Sequence, residues 1–211
     1  MDFDDDVQVD GMIDRLKQFI GARPENPTAH YNLGLAYVQK GEIQDAVFAF
    51  KMALELDPNM VEAYINLGGL YLKQKELDEA VAMNEKAIEI NPRATLAYNN
   101  IGFALMLDNR LDEAIEYFEK ALELNPELIP AKLSLGRIYE RQQNYDQAII
   151  MYEKILESDP NFALAHNSLA LIYLDTGQPE KASEHYQEAE ILKFPVDPEV
   201  GQKIKERLAK G

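Results

Sequence analysis

Residues 95–128 read TLAYNNIGFALMLDNRLDEAIEYFEKALELNPEL, and the chain repeats this phrase with a period of 34 residues. The period is clearest in five prolines, which stand at Pro24, Pro58, Pro92, Pro126 and Pro160. A sixth proline, at 195, is displaced by one residue. Internal periodicity of this length is typical of stacked structural repeats. It predicts five tandem repeats with limits at 27–60, 61–94, 95–128, 129–162 and 163–196.

Each repeat contains two helical patterns joined by a short polar turn. In the first repeat Leu33, Gly34 and Tyr37 have the spacing that places side chains on one helical face. The small residues Gly34 and Ala46 allow the two helices to approach closely. One hairpin cannot bury both of its apolar faces, so each must stack on the next. The pattern predicts an all-α fold, a right-handed superhelical solenoid of antiparallel helix hairpins.

The two ends of the chain are predicted to close this stack, because an open array needs polar outer faces. Residues 9–26 resemble the second half of a repeat and predict an N-terminal capping helix. Residues 197–211 open with Asp197-Pro198, a helix-start signal, and predict a C-terminal capping helix. The acidic residues 1–8 predict a disordered leader.

The repeated phrase resembles the tetratricopeptide repeat, whose signature sets an aromatic residue, Leu-Gly, Tyr, Ala, Phe, Ala and Pro at fixed positions. The third repeat matches these positions with Tyr98, Ile101, Gly102, Leu105, Ala114, Phe118, Ala121 and Pro126. The resemblance extends over about 170 of the 211 residues. It implies a protein-protein interaction scaffold, although the signature residues themselves are structural.

Three residues depart from the signature. Lys132 replaces the first aromatic residue of the fourth repeat, and Ala170 replaces the glycine of the fifth. Asn84 stands where the first and third repeats have phenylalanine. Asn84 therefore either loosens the second hairpin or finds a buried polar partner.

Composition and charge exclude several kinds of function. The chain has 37 acidic and 21 basic residues, a net charge of -16, which would repel nucleic acid and anionic membranes. It has no cysteine, so a disulfide framework and thiolate metal sites are excluded. It has neither a secretory signal pattern nor an apolar run of about 18 residues. We expect a cytoplasmic protein without membrane insertion.

No cluster of residues indicates catalysis, a cofactor or a metal. His30 and His166 occupy the same position in different repeats and His185 lies on a second helix, so the histidines are not expected to form a ligand set. Acidic pairs such as Asp78-Glu79 stand at helix starts, where the helix dipole favours them. We expect a protein that is not an enzyme and has no cofactor and no metal site.

The resemblance implies that the concave surface is lined by first-helix residues that lie beside the core face. The sixth position of successive repeats is occupied by Asn32, Asn66, Asn100, Ser134 and Ser168. An asparagine offers a donor and an acceptor, which suits a peptide group, and the row is similar to the asparagine rows of peptide-binding solenoids. Because Asn-Leu-Gly is common in the family, both a ligand-binding and a structural role remain open.

Apolar and basic residues complete the predicted binding surface. Arg137 and Arg141 lie one turn apart and either receive a partner's carboxylate or pair with a local acid such as Glu140. The complete predicted set is Asn32, Leu35, Asn66, Lys73, Asn99, Asn100, Phe103, Met106, Arg137, Arg141, Asn167 and Leu171. A two-carboxylate clamp for chaperone C-terminal tails is disfavoured, because only Asn66 matches the residues that such a clamp needs.

The sequence thus predicts an adaptor that binds a peptide segment of a partner protein in its concave groove. The segment is expected to carry apolar and some acidic side chains. The alternative is a structural or assembly subunit of a multiprotein complex, or a self-associating scaffold, that uses the convex face or the ends. A homo-oligomer is compatible with this alternative.

Overall fold

A computed structural model describes the backbone of residues 3–210 and the side chains of residues 8–210. Within that part, twelve α-helices and no strands are found, which confirms the all-α fold class. The helices are α1 (Phe3–Ala22), α2 (Pro27–Lys40), α3 (Ile43–Leu56), α4 (Val61–Gln74), α5 (Leu77–Ile90), α6 (Thr95–Leu107), α7 (Leu111–Leu124), α8 (Ile129–Arg141), α9 (Tyr145–Ser158), α10 (Ala163–Asp175), α11 (Pro179–Ile191) and α12 (Pro198–Leu208). They form two compact units, one ending at Tyr117 and the other beginning at Phe118, within α7.

Local sequence signals set the ends of these helices. Asn26 caps α2, since its side chain accepts a hydrogen bond from the Ala29 amide at 2.9 Å. Gly41 ends the same helix in the left-handed conformation, with φ of 81°. The equivalent residues of the next three repeats are left-handed as well, although none is glycine: Lys75, Asn109 and Gln143. The turn geometry is therefore kept across the repeats even where a side chain must be accommodated.

In the N-terminal unit, close helix contacts build the core of each hairpin. Phe50 is completely buried, and a Cβ atom added to Gly34 would lie 2.6 Å from its ring. In the second repeat, Gly68 faces Asn84 in the same way. Asn84 is completely buried, donates a hydrogen bond to the Ala80 carbonyl at 2.7 Å, and accepts one from Asn100 at 3.1 Å. The buried asparagine therefore has polar partners on both sides of its amide.

The C-terminal unit accommodates the departures of the fourth and fifth repeats. Lys132 is only 4% exposed, and its ammonium group donates to the Lys154 carbonyl, to the Ser158 hydroxyl and to the Glu127 carboxylate at 3.2 to 3.3 Å. Its aliphatic stem thus takes the place of an aromatic ring while its charge is paired. Ala170 is completely buried, like the glycine that it replaces in other repeats.

The N-terminal end differs from the predicted disordered leader over 1–8. Residues 1–2 lie outside the described residues, but the backbone is helical from Phe3 onward. Val9 and Ile13 are 5% and 4% exposed and pack into the core of the first hairpin. Because tertiary packing supplies most of the stability of a helix, this anchor carries α1 beyond the residues that the apolar pattern includes.

At the other end, α12 packs in the core of the C-terminal unit. Val200 and Ile204 are buried there, and the Asp197 side chain caps the helix by accepting from the Glu199 amide at 2.9 Å. The Tyr186 hydroxyl of α11 donates to the Asp197 carbonyl at 3.4 Å. The residues after the last repeat thus form an amphipathic helix over 198–208.

Two neighbouring glycines of α4 test whether close helix approach sets the stability. In Gly68→Ala the new Cβ would lie 1.9 Å from Asn84 Nδ2, and Asn84 is held by its own hydrogen bonds. We expect urea denaturation to show a loss of about 1–3 kcal/mol in the free energy of unfolding. Gly69→Ala is the matched control: its Cβ would meet no described atom within 4 Å, and it should gain about 0.5–1 kcal/mol as a better helix former. Equal effects at both positions would contradict this account.

Candidate functional site

In the N-terminal unit, a surface cavity of about 220 Å³ lies between the first helices α2, α4 and α6. We call this cavity the central groove; it is lined by Val38, Ile65, Asn66, Gly69, Leu70, Lys73, Leu96 and Asn100. The structure thus brings together three residues of the predicted set, Asn66, Lys73 and Asn100. The apolar residues Ile65 and Leu96 are additional, and Leu96 is 52% exposed. Large exposed apolar side chains beside polar groups are a mark of interaction sites.

The asparagines of the central groove also join neighbouring repeats. Asn66 donates to the Tyr31 hydroxyl at 3.1 Å and to the Glu62 carbonyl at 2.8 Å. Asn100 donates to Asn84 at 3.1 Å and to the Ile65 carbonyl at 3.5 Å. A side-chain amide has two N–H donors, and both are thus engaged within the protein. Toward a ligand these side chains offer their oxygens, not both a donor and an acceptor.

A second cavity, of about 520 Å³, lies between α1 and α2 in the same unit. We call it the edge slot; it is lined by Met12, Arg15, Leu16, Phe19, Asn32, Leu35, Ala36 and Gln39. The predicted residues Asn32 and Leu35 therefore lie in a different cavity from Asn66 and Asn100. Phe19 belongs to the apolar pattern of α1 and is 41% exposed in the slot. Periodicity identifies an apolar face but does not tell whether another helix covers it.

The remaining predicted residues of the N-terminal unit lie on α6. Asn99, Phe103 and Met106 are all half-buried. The Asn99 side-chain oxygen is buried and accepts no hydrogen bond from any residue that the structure describes.

In the C-terminal unit, the predicted residues lie on α8 and α10. Arg137 and Arg141 are exposed on α8, and the Arg137 charge acts on the half-buried Glu140 carboxyl, so a local pairing of Arg137 stays an alternative. Burial raises the pKa of Glu140, while the Ser168 hydroxyl and the Arg137 charge oppose that rise. On α10, Asn167 is half-buried and Leu171 is 39% exposed.

Two histidines of the fifth repeat come together, which the sequence pattern does not indicate. His166 Nε2 is 3.0 Å from the Pro160 carbonyl, so this nitrogen donates. The Nδ1 atoms of His166 and His185 are 3.0 Å apart, and His185 must therefore be the donor of that hydrogen bond. Tyr173 stacks on His185 with ring centroids 5.6 Å apart. In the described part of the chain, no group of three or more His, Cys, Asp or Glu side chains could hold a metal ion.

Over the residues that the structure covers, no helix combines the length and the apolar character needed to cross a membrane.

Comparison with known proteins identifies the class to which this architecture belongs. Sequence models described as tetratricopeptide repeat match residues 27–60, 61–93, 105–172 and 163–190. The chain belongs to the tetratricopeptide repeat family. This fold supports a role as a protein-protein interaction scaffold, and proteins of this kind are in general not enzymes.

Solved structures of several tetratricopeptide proteins are similar to this chain. MamA from Desulfovibrio magneticus RS-1, residues 41 to the end, is 30% identical, with 69% of this chain and 82% of that chain covered and a TM-score of 0.63. YrrB, a tetratricopeptide protein with an unusual peptide-binding site, is 24% identical, with 90% and 97% covered and a TM-score of 0.68. PilF from Pseudomonas aeruginosa is 20% identical, with 93% and 87% covered and a TM-score of 0.76. The likeness to YrrB and PilF shows the fold alone. Among curated proteins, none matches this chain.

The histidine pair makes the stability of the C-terminal unit sensitive to acid. Burial lowers the pKa of His185, and the neighbouring His166 lowers it further. As the pH falls below about 6.5, the unfolded chain takes up a proton that the folded chain resists, so the free energy of unfolding decreases. In His185→Phe, which keeps a ring against Tyr173, urea denaturation between pH 7 and pH 5 should show a weaker decrease. An NMR titration that places the pKa of His185 at or above its usual value would contradict this expectation.

Proposed function

We propose that this protein is an adaptor that binds a peptide segment of a partner protein in the central groove. The observation that carries this proposal is the convergence of apolar side chains, two asparagines and Lys73 on one cavity between three first helices. Binding sites of this kind are mostly apolar, with a few polar groups that fix orientation. YrrB, which has the same fold, has a peptide-binding site, so the fold is able to bind peptides.

The charge of the groove indicates what the peptide carries. Lys73 is exposed at the end of α4, and it forms no ion pair with any residue in the described part of the chain. In a protein with a net charge of -16, an unpaired lysine beside an apolar cavity favours a carboxylate from outside. The proposed ligand is therefore a segment with a bulky apolar side chain and an acidic side chain close to it.

The asparagines have a smaller part in this proposal. Because the N–H groups of Asn66 and Asn100 are engaged within the protein, the side-chain oxygens of these residues remain to accept N–H groups of the peptide. Each such hydrogen bond contributes only about 0.5–1.5 kcal/mol net. Most of the affinity is therefore assigned to Ile65, Leu96 and Lys73. The other predicted contact residues stay predictions outside the central groove, namely Asn99, Phe103 and Met106 on the N-terminal unit and Arg137, Arg141, Asn167 and Leu171 on the C-terminal unit.

Peptides selected from a random phage-displayed library on the immobilised full chain test this proposal. We expect peptides that combine an acidic and a bulky apolar residue. Lys73→Glu should weaken their binding about tenfold or more, equivalent to about 1.4 kcal/mol, because an attraction becomes a repulsion. Fluorescence anisotropy of a labelled peptide measures the change, and Leu96→Ser should act in the same direction.

Lys86→Glu is the matched control for this experiment. Lys86 is exposed on α5 and pairs with Glu89 at 2.6 Å, so its reversal changes the net charge equally but outside the groove. It should leave the affinity within about twofold. Selected peptides that bind Lys73→Glu and Leu96→Ser as tightly as the wild type would refute the central groove as the binding site.

A second candidate function is an assembly subunit that uses its second helices. Phe48 on α3 is 67% exposed and Ile191 at the end of α11 is 69% exposed, values typical of apolar side chains that a partner covers. Light scattering distinguishes this candidate. The assembly candidate predicts an oligomer that persists in Lys73→Glu and is lost in the double variant Phe48→Ser/Ile191→Ser. A monomer at all concentrations would exclude self-assembly through Phe48 and Ile191.

A further inference from the structure

The edge slot lies on α1, which corresponds in sequence to a second helix of the repeat. Within the described residues, no first helix of the same repeat packs on it. Subtracting the period of 34 aligns α1 with α3, so that Met12, Leu16 and Phe19 correspond to Ala46, Phe50 and Ala53. In α3 these three residues are completely buried. In α1 the same face is open, with Met12 and Phe19 at 37% and 41% exposure.

The position of Met12 is occupied by alanine in every complete repeat, and this alanine is always completely buried. The residues that correspond to Met12 are Ala46, Ala80, Ala114, Ala148 and Ala182, each with 0% exposure. In the second repeat, Ala80 and Asn84 lie on one face of α5, and α4 covers this face at Gly68. Only at α1 are the small buried residues replaced by large exposed ones. The slot is therefore shaped for a first helix, but one that packs at a greater distance than inside the repeats.

On the α2 side of the edge slot, Asn32 lacks, within the described part of the chain, the helix contact that the equivalent asparagines of the next two repeats make. Asn66 and Asn100 donate to the first helix of the preceding repeat, at Tyr31 and Ile65. Asn32 is the equivalent residue of α2, and it lies exposed in the slot. Residues 7–8, which correspond to the turn at Gly41-Glu42, remain helical, so α1 does not turn back there as each complete repeat does.

The charge around the edge slot is opposite to that of the whole protein. Arg15 lines the slot and is exposed, while its Nε donates to the Gly11 carbonyl at 2.9 Å. The Arg23 guanidinium lies 5.4 Å from the centre of the Phe19 ring. Two arginines beside one apolar surface in a chain of charge -16 favour an occupant with carboxylates.

We propose that the edge slot binds an amphipathic α-helix of a partner protein, which packs on α1 as a first helix packs on its second helix in the complete repeats. A helix of about 14 residues, the length of α2 and α4, would lie against Met12, Leu16, Phe19 and Leu35. It presents small residues where it crosses Met12 and Leu16, as Gly68 does for its own second helix, and acidic residues toward Arg15 and Arg23. This site is separate from the central groove, and the proposal does not depend on peptide binding there.

Binding of a stapled helical peptide to the full chain tests this proposal. The probe has the sequence of residues 61–74, VEAYINLGGLYLKQ, because α4 is a first helix with small residues on its inner face. A second version carries glutamate at its first position, beside the glutamate already at its second, because a first helix runs antiparallel to its second helix and this end then lies nearest Arg23. We expect saturable binding by fluorescence anisotropy, tighter for the acidic version, and an affinity about tenfold or more weaker in Phe19→Ser. The advantage of the acidic version should disappear in Arg23→Glu.

Phe48→Ser is the matched control, since Phe48 is 67% exposed on α3 and lies outside the slot. It should change the affinity less than about twofold. Lys73→Glu should also leave it unchanged, which separates a failure of this proposal from a failure of the central groove. Circular dichroism checks that each variant is folded. No saturable binding of the acidic version, or an equal loss in Phe48→Ser, would overturn the proposal. A dimer in sedimentation that Phe19→Ser abolishes would overturn it too, by assigning the slot to a second copy of the chain.

Discussion

The close contact between a small residue of the first helix and a large buried side chain of the second is the constraint on which each hairpin depends. Gly34 against Phe50 and Gly136 against Tyr152 leave no room for a Cβ atom, which would lie 2.6 to 2.7 Å from the facing ring. Interiors are packed closely, so such a contact fixes both the distance and the register of the two helices. The remaining faces of the hairpin are then free to pack against the next repeat.

The register of the helices also explains the structural role of the asparagines at the sixth position of the repeats. Once hairpins stack, Asn66 and Asn100 each donate one N–H to the preceding first helix, at Tyr31 and Ile65. Their other N–H groups go to the Glu62 carbonyl of α4 and to Asn84 of α5. The same neighbours form the walls of the central groove. Affinity and specificity are therefore assigned to the groups left over, namely the apolar side chains, the amide oxygens and Lys73. At the edge slot, Asn32 has the same position without the same neighbour.

Much of the fold could be predicted from the sequence, because its pattern is local and repeated. The small residues Gly34 and Ala46 predict that the two helices approach closely, and in the structure the Gly34 backbone lies against the Phe50 ring. The partners of Asn84 could not be predicted, since they depend on a residue of the next repeat. Neither the exposure of Phe19 nor the contact of His185 could be predicted, because each depends on which helix stands opposite. The predicted binding residues fall into separate cavities for the same reason.

The most direct measurement of the central claim is a double-mutant cycle between Lys73 and the carboxylate of a bound peptide. Lys73→Met is combined with replacement of that carboxylate by an amide, and the four dissociation constants give the coupling free energy. The account predicts a coupling of about 1 kcal/mol, as expected for an ion pair at a partly apolar site. A coupling indistinguishable from zero would contradict the claim that the central groove recognises its partner through Lys73.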